Sequence, residues 1–256
     1  MITAIARSWQ LVLSFVSELG SFLTLFYEAL VACFRPPFRW KQFLKQLEFI
    51  GVHSSFIIIL TGLFTGAVLA LQSGKAFRLF NAEAVTGSVV ALSLMRELSP
   101  VMTGLMVAAR CGSAMAAEIG TMNVTQQVDA LKVMSVDPVS YLISPRVLAT
   151  TIMMPLLSIV FTVTGMIGSY IVAIGILGIN DAIYFDKIDQ YVEMQDVWDG
   201  LIKATCFGVI VAVVGCQRGF QARGGAEGVG RATTQAVVYA SVSILVSDYF
   251  LTAFMY

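Results

Sequence analysis

Ionisable side chains are scarce in this chain, and those that interrupt apolar runs carry most of its chemical information. Arg96 and Glu97 stand side by side in an apolar run from about Val89 to Ala117, which also holds Arg110. An arginine at the centre of a span costs about 2.5–3.5 kcal/mol on insertion scales. Either such a residue lies near an interface and snorkels to neighbours, or it lines a polar cavity inside a bundle. Neighbouring helical residues point about 100° apart, so Arg96 and Glu97 do not simply neutralise each other. Lys203 and Asp248 fall towards the ends of two later apolar runs. The remaining reactive types form no set. Cys33, Cys111, Cys206 and Cys216 make no CxxC pair and lie in or beside apolar runs, so they read as small hydrophobes. His53 is the one histidine. The run Gly224 to Gly230 looks like a phosphate cradle, but no GxxxxGK[ST] occurs, so its glycines read as tight turns. Without a nucleophile–base pair, metal cluster or nucleotide motif, the chain is not a complete enzyme. Any ATP it depends on has to be used elsewhere.

The elements that position these residues are membrane spans. The sequence is 57% hydrophobic and 12% charged, against about half and a quarter in soluble domains. Formal net charge is zero, which gives no argument for nucleic acid. Spans are expected at about Phe49–Leu71, Val89–Ala117, Pro145–Leu177, Val197–Cys216 and Ala236–Phe254. Residues 9–34 carry a polar stripe of Gln10, Ser14, Ser17, Ser21, Thr24 and Glu28, with Glu18 beside it. That pattern fits a helix lying in the interface. Leu30-Val31-Ala32-Cys33 resembles a lipoprotein box, but Glu18 and Glu28 in the preceding run make it a coincidence. Arg35-Pro36-Pro37 ends that helix, and Arg39, Lys41 and Lys45 follow. The expected fold is all-α, a single domain over residues 1–256. An interfacial helix and basic connection (1–46) precede a five-span bundle (47–256).

Two packing signals stand out. Gly62 and Gly66 form one GxxxG pair, weak alone. Gly104, Ala108, Gly112, Ala116 and Gly120 form a five-step ladder, which marks a closely packed helix face. After Glu118 the apolar register stops. Val124, Val128, Leu131 and Met134 recur at helical spacing among Gln126, Gln127, Asp129 and Lys132. This predicts an amphipathic helix over Asn123–Val136, opened by an Asn123/Gln126 capping box and ended by Asp137-Pro138. It is either a loop helix folded on its own spans or a docking helix for a soluble partner. Ser144 is expected to cap the third span, with Pro145 in its first turn. Asp181, Asp186, Asp189, Glu193, Asp196 and Asp199 form an acidic segment, either solvated or a contact for an external partner.

With a cytoplasmic N-terminus, Arg7, Arg35, Arg39, Lys41, Lys45, Lys132, Arg146, Arg218, Arg223 and Arg231 lie inside. Lys75, Arg78, Lys187 and Lys203 lie outside. This places the amphipathic helix and the glycine loop in the cytoplasm.

The stretch LSLMRELSPVMTGLMVAARCGSAMAAEIGTMNVTQQVDALKVMSVDPVSYLISPR resembles the MlaE permease family, also called the YrbE or TGD permease family, and so does GGAEGVGRATTQAVV. The resemblance implies the permease of an ABC-type lipid transporter in a bacterial inner membrane, moving glycerophospholipids between two membranes. It implies a second copy of the chain, two ATPase subunits that use ATP and Mg, a STAS-domain protein and a periplasmic MCE-domain hexamer. Arg96 and Glu97 would be cavity residues near lipid headgroups, where Arg96 could meet a phosphate. Glu118, Asn123, Val124, Val128, Asp129, Leu131, Met134 and Asp137 would form the coupling region, with no cofactor held by this chain. Gln235 stands where some relatives carry a basic residue. Two other classes are an ion-driven secondary transporter, which would show inverted repeats and broken midplane helices, and a non-transporting membrane scaffold, which would need no buried Arg96–Glu97.

Overall fold

The computed structural model describes residues 39–255 continuously, and residues 20–22, 24–29 and 31–32 of a helix before them. Among the described residues, five helices are long and apolar enough to cross a membrane: α1 (Trp40–Arg78), α2 (Glu83–Val124), α4 (Val139–Gly175), α6 (Met194–Phe220) and α7 (Gly225–Met255). Two short helices lie between them, α3 (Gln127–Val133) and α5 (Asp181–Tyr191). No strand occurs among the described residues. The spans outrun the apolar cores read from sequence. The 39 residues of α1 reach about 58 Å, well past a hydrocarbon layer of about 30 Å.

Small residues set the packing. On α1, Ile50, Ser54, Ile58, Gly62, Gly66, Ala70 and Gly74 repeat every fourth position, and all are buried. A Cβ at Gly66 would overlap the Gly165 carbonyl of α4, and one at Gly168 would overlap the Leu63 carbonyl of α1. The GxxxG pair is thus the centre of a longer ladder along which two backbones touch. The opposite face of α1 exposes Val52, Phe56, Leu60 and Phe64, as a lipid-facing surface does. The five-step ladder of α2 is buried as well. A Cβ at Gly104 would meet Phe207 of α6 and Ile244 of α7, and one at Gly112 would lie 3.4 Å from Val211. From the other side, Gly215 and Gly219 of α6 approach the carbonyls of Gly112 and Ala116. Ala232, Ala236, Ala240 and Ile244 are the buried face of α7.

Two turns of α2, Leu94–Leu98 and Ala108–Gly112, are widened into π-helix, and so is the first turn of α4, Val139–Ile143. Such turns recur at functional sites, and the first of them carries Arg96 and Glu97.

Several boundaries differ from expectation. There is no single helix over 123–136. α2 runs on to Val124, Gln126 takes a left-handed conformation (φ +61°), and α3 covers only Gln127–Val133. The Asn123/Gln126 capping box does not form, because the Asn123 amide is used elsewhere and Gln126 makes no capping bond. Asp137 opens the next helix rather than closing the last: its carboxylate accepts from the Val139 and Ser140 amides at 3.1 and 3.2 Å. Ser144 is therefore already inside α4 and is not its cap. The acidic segment divides. Asp181, Asp186 and Asp189 are exposed on α5, whereas Asp196 and Asp199 are buried on α6. Tyr184 pins α5 to the bundle through Ser169 at 3.1 Å, and burial pushes its phenol above the ordinary tyrosine range.

The N-terminal helix lies against the end of α6. Gln217 Nε2 donates to Ser21 Oγ at 2.7 Å, and Ala29 and Ala32 are buried. So Ser21 in the polar stripe faces protein. Gln10, Ser14, Ser17, Glu18, Cys33 and the Arg35-Pro36-Pro37 break lie outside the described residues.

Candidate functional site

Arg96 and Glu97 point to different helices, as their angular separation requires. Arg96 Nε donates to Asp196 Oδ1 at 2.6 Å, and its Nη2 pairs with the same oxygen. The other oxygen of Asp196 accepts the Glu193 amide at 2.9 Å, which closes the capping box at the start of α6. Asp196 is thus held at both oxygens. Glu97 Oε1 accepts from Lys203 Nζ of α6 at 2.7 Å. Lys203 also donates to Thr252 Oγ1 of α7 at 2.7 Å and lies 3.4 Å from Asp248 Oδ1. The Lys203 side chain is 0% exposed, while those of Arg96 and Glu97 are 37% and 38% exposed. The knot therefore has a dry end at Lys203 and an open end at Arg96. Two cations face three carboxylates, so Arg96 is already neutralised, and a phosphate approaching it has to compete with Asp196.

The second region lies at the opposite end of α2. Glu118 pairs with Arg146 Nη2 at 2.7 Å, and Arg146 Nη1 donates to the Leu142 carbonyl at 2.6 Å. This ties α2 to α4 across the turn that holds α3. Asn123 Nδ2 donates to the carbonyls of Phe220 and Ala222 at 2.9 and 3.1 Å. It thereby satisfies backbone at the end of α6, where carbonyls lack helical partners. On α3, Val128 is buried, Leu131 is half-buried and Val133 is 86% exposed, and Met134, the residue that follows its last turn, is 64% exposed. Val124 is half-buried at the end of α2. Asp129 pairs with Lys132 at 2.9 Å on the surface, a contact worth little energetically. A cavity of about 780 Å³ separates α3 from the α6–α7 turn, bordered by Val128, Lys132, Asp137, Phe220 and Arg223.

The family model described as Permease MlaE matches residues 43–254. The chain belongs to the MlaE permease family. A probable ABC transporter permease protein of Rickettsia typhi is 46% identical over 244 residues, 95% of this chain and 94% of that protein. A probable ABC transporter permease protein of Synechocystis is 40% identical, covering 84% of this chain and 82% of its own. The intermembrane phospholipid transport system permease protein MlaE of Haemophilus influenzae is 39% identical, covering 96% and 99%. This MlaE-family chain is accordingly an ABC transporter permease and a multi-pass membrane protein.

Not all the residues singled out from sequence come together in this permease. Arg96 and Glu97 share one knot. Glu118, Asn123, Val124, Val128, Asp129, Leu131, Met134 and Asp137 cluster at the other end of α2. Gly104, Ala108, Gly112 and Ala116 run between the two clusters. Asp196, Lys203, Asp248 and Thr252 were missed as members of the knot. The available signal was Lys203 inside the fourth apolar run and Asp248 alone in the fifth, charges of opposite sign on different runs. Val133 was missed because it falls off the helical stripe of Val124, Val128, Leu131 and Met134.

Proposed function

We propose that this permease moves glycerophospholipids between the inner and outer membranes of a bacterium, driven by ATP hydrolysed on a separate subunit. The observation that carries this reading is α3. It is a short helix braced between the two ends of long spans, and its C-terminal end offers Val133 and the following Met134 outward. An ATPase docked there would push on α2 through the Glu118–Arg146 tie and on α6 through Asn123. The name of the Haemophilus relative supports phospholipid as the cargo. The excess of Lys and Arg at the α3 end supports a cytoplasmic placement of that end and of the N-terminus. Two copies of the chain, two ATPases, a STAS-domain protein and a periplasmic MCE-domain hexamer complete the proposed assembly, with ATP and Mg held by the ATPases. In it, the open side of the knot, at Arg96 and Glu97, faces the lipid route, and differential binding of nucleotide by the ATPase shifts the population of bundle states.

The test is reconstitution. The permease with its co-purified ATPase, in phospholipid nanodiscs, should show ATPase activity above that of the ATPase alone. Fluorescent phospholipid should pass to an acceptor only with ATP. An ATPase that neither co-purifies nor crosslinks in intact membranes would refute the reading and direct attention to ion-driven transport. A membrane scaffold would show neither stimulation of the ATPase nor ATP-dependent passage of lipid.

A further inference from the structure

A second cavity, of about 600 Å³, opens between α1, α2 and α4 at the end of the bundle that carries α3. Its polar wall is Gln42, Lys45 and Gln46 of α1, Glu118 of α2 and Arg146 of α4; its apolar wall includes Phe49, Met122 and Leu142. Tyr141 closes one edge, with the Arg39 guanidinium 4.1 Å above its ring. Among the described residues, four buried polar atoms around this corner have no hydrogen-bond partner: Gln42 Oε1, Gln46 Oε1, Arg146 Nε and Arg39 Nη1. Arg146 is 8% exposed, and its two terminal nitrogens are taken by Leu142 and Glu118. Buried polar groups are nearly always paired, so a cluster of exceptions calls for an explanation.

The unmet groups are of two kinds. The glutamine carbonyls ask for donors, and the guanidinium N–H groups ask for an acceptor. Arg39, Lys45 and Arg146 outweigh Glu118, so the corner favours an anion that can also donate. The surroundings narrow the choice. Trp40 and Leu44, next to this corner on α1, are 65% and 59% exposed. A tryptophan among lysines and arginines at the end of a span marks the membrane interface.

We propose that this cavity binds the headgroup of a membrane phospholipid that carries a hydrogen-bond donor beside its phosphodiester, ethanolamine or glycerol rather than choline. The phosphate meets Lys45 and Arg39. The ammonium or hydroxyl donates to Gln42 and Gln46 once their amides turn about χ3, and the acyl chains leave past Phe49 along α1. The site is separate from the knot. Residues 96 and 118 on α2 are about 33 Å apart along the helix. The assignment requires the spans to lie in a bilayer and does not require transport.

The test places the photocrosslinker p-benzoyl-phenylalanine at Met122 of the full chain in nanodiscs, with adducts read by mass spectrometry. Phosphatidylethanolamine or phosphatidylglycerol discs should give at least about fivefold more lipid adduct than phosphatidylcholine discs. Gln42→Leu with Gln46→Leu should remove that preference with folding intact, and so should Lys45→Glu alone. Arg96→Ala should leave it. Equal adducts with phosphatidylcholine, no adduct with any lipid, or a preference that survives the glutamine substitutions would overturn the proposal. Loss of adduct in Arg96→Ala would assign the lipid to the transport route instead. Displacement by millimolar inorganic phosphate would make this a free-anion site and end the lipid assignment. A permease inactive in transport but selective in this assay would separate the failure of the two readings.

Discussion

Lys203→Met is the sharpest perturbation of the knot. Lys203 is fully buried, and its ammonium meets Glu97, Asp248 and Thr252 at once. Methionine nearly preserves the volume, so the substitution removes charge and little packing. Removing one partner of a buried pair costs about 3–5 kcal/mol, because the other charge is left uncompensated. Here the loss is smaller, since the Glu97 side chain is 38% exposed and can recover water; about 2–3 kcal/mol remains. For a chain of this size that lowers the melting temperature by roughly 5–10 °C. The assay is thermal unfolding of the detergent-purified chain, followed by the decay of its monodisperse peak. Adding Glu97→Gln and Asp248→Asn to Lys203→Met should recover most of the loss, since no carboxylate is then left without a cation. A single variant that melts within about 1 °C of the parent would refute the reasoning. So would a triple variant that melts lower than the single one.

Three further outcomes are expected. Gly66→Val should prevent accumulation of monodisperse protein, because its side chain would displace the α4 backbone at Gly165, whereas Gly51→Ala meets only the mobile end of Met153 and should stay within about 0.5 kcal/mol of the parent; yield and melting of the pair check this. Val133→Asp should abolish co-purification of the ATPase with no change in melting, because Val133 is 86% exposed; a retained ATPase would remove α3 from the docking surface. Asn123→Leu leaves the Phe220 and Ala222 carbonyls short of a donor at about 1–3 kcal/mol, so hydrogen exchange of amides near residues 219–225 should accelerate while the rest of α6 stays protected.

The five spans were legible because apolar runs of about 20 residues have few soluble explanations. The α2 ladder was legible because a five-step repeat of small residues is hard to produce by accident. The α1 ladder was not read in full. Its Gly62 and Gly66 were seen, but Ile50, Ser54 and Ile58 look unremarkable in an apolar run until α4 is laid against them. Boundaries near α3 were misread for a local reason. Asn123 has the residue type of a cap, yet its amide reaches about one hundred positions ahead to residues 220 and 222, and no local rule anticipates that. Asp137 likewise looked like a terminator, since Pro138 follows, although Pro in a first turn is as much a helix start.

The knot shows how far adjacency in sequence can mislead about pairing. Arg96 and Glu97 have opposite charge and touch in sequence, but the helix sends one to Asp196 and the other to Lys203. Their pairing was hidden because each partner lies about one hundred residues away on another span. The arrangement has a mechanical consequence. The small-residue ladder below it gives α2 a face with few side-chain ridges to hold it in place against α6. The two ion pairs, one on each side of α2, fix that register instead. A shift of one helical turn, about 5.4 Å, would break both pairs together while leaving the ladder able to repack four residues along. The fully buried Lys203 then sets the larger share of the barrier, and the partly open Arg96–Asp196 pair, within reach of water or a competing phosphate, is the one that can give way first.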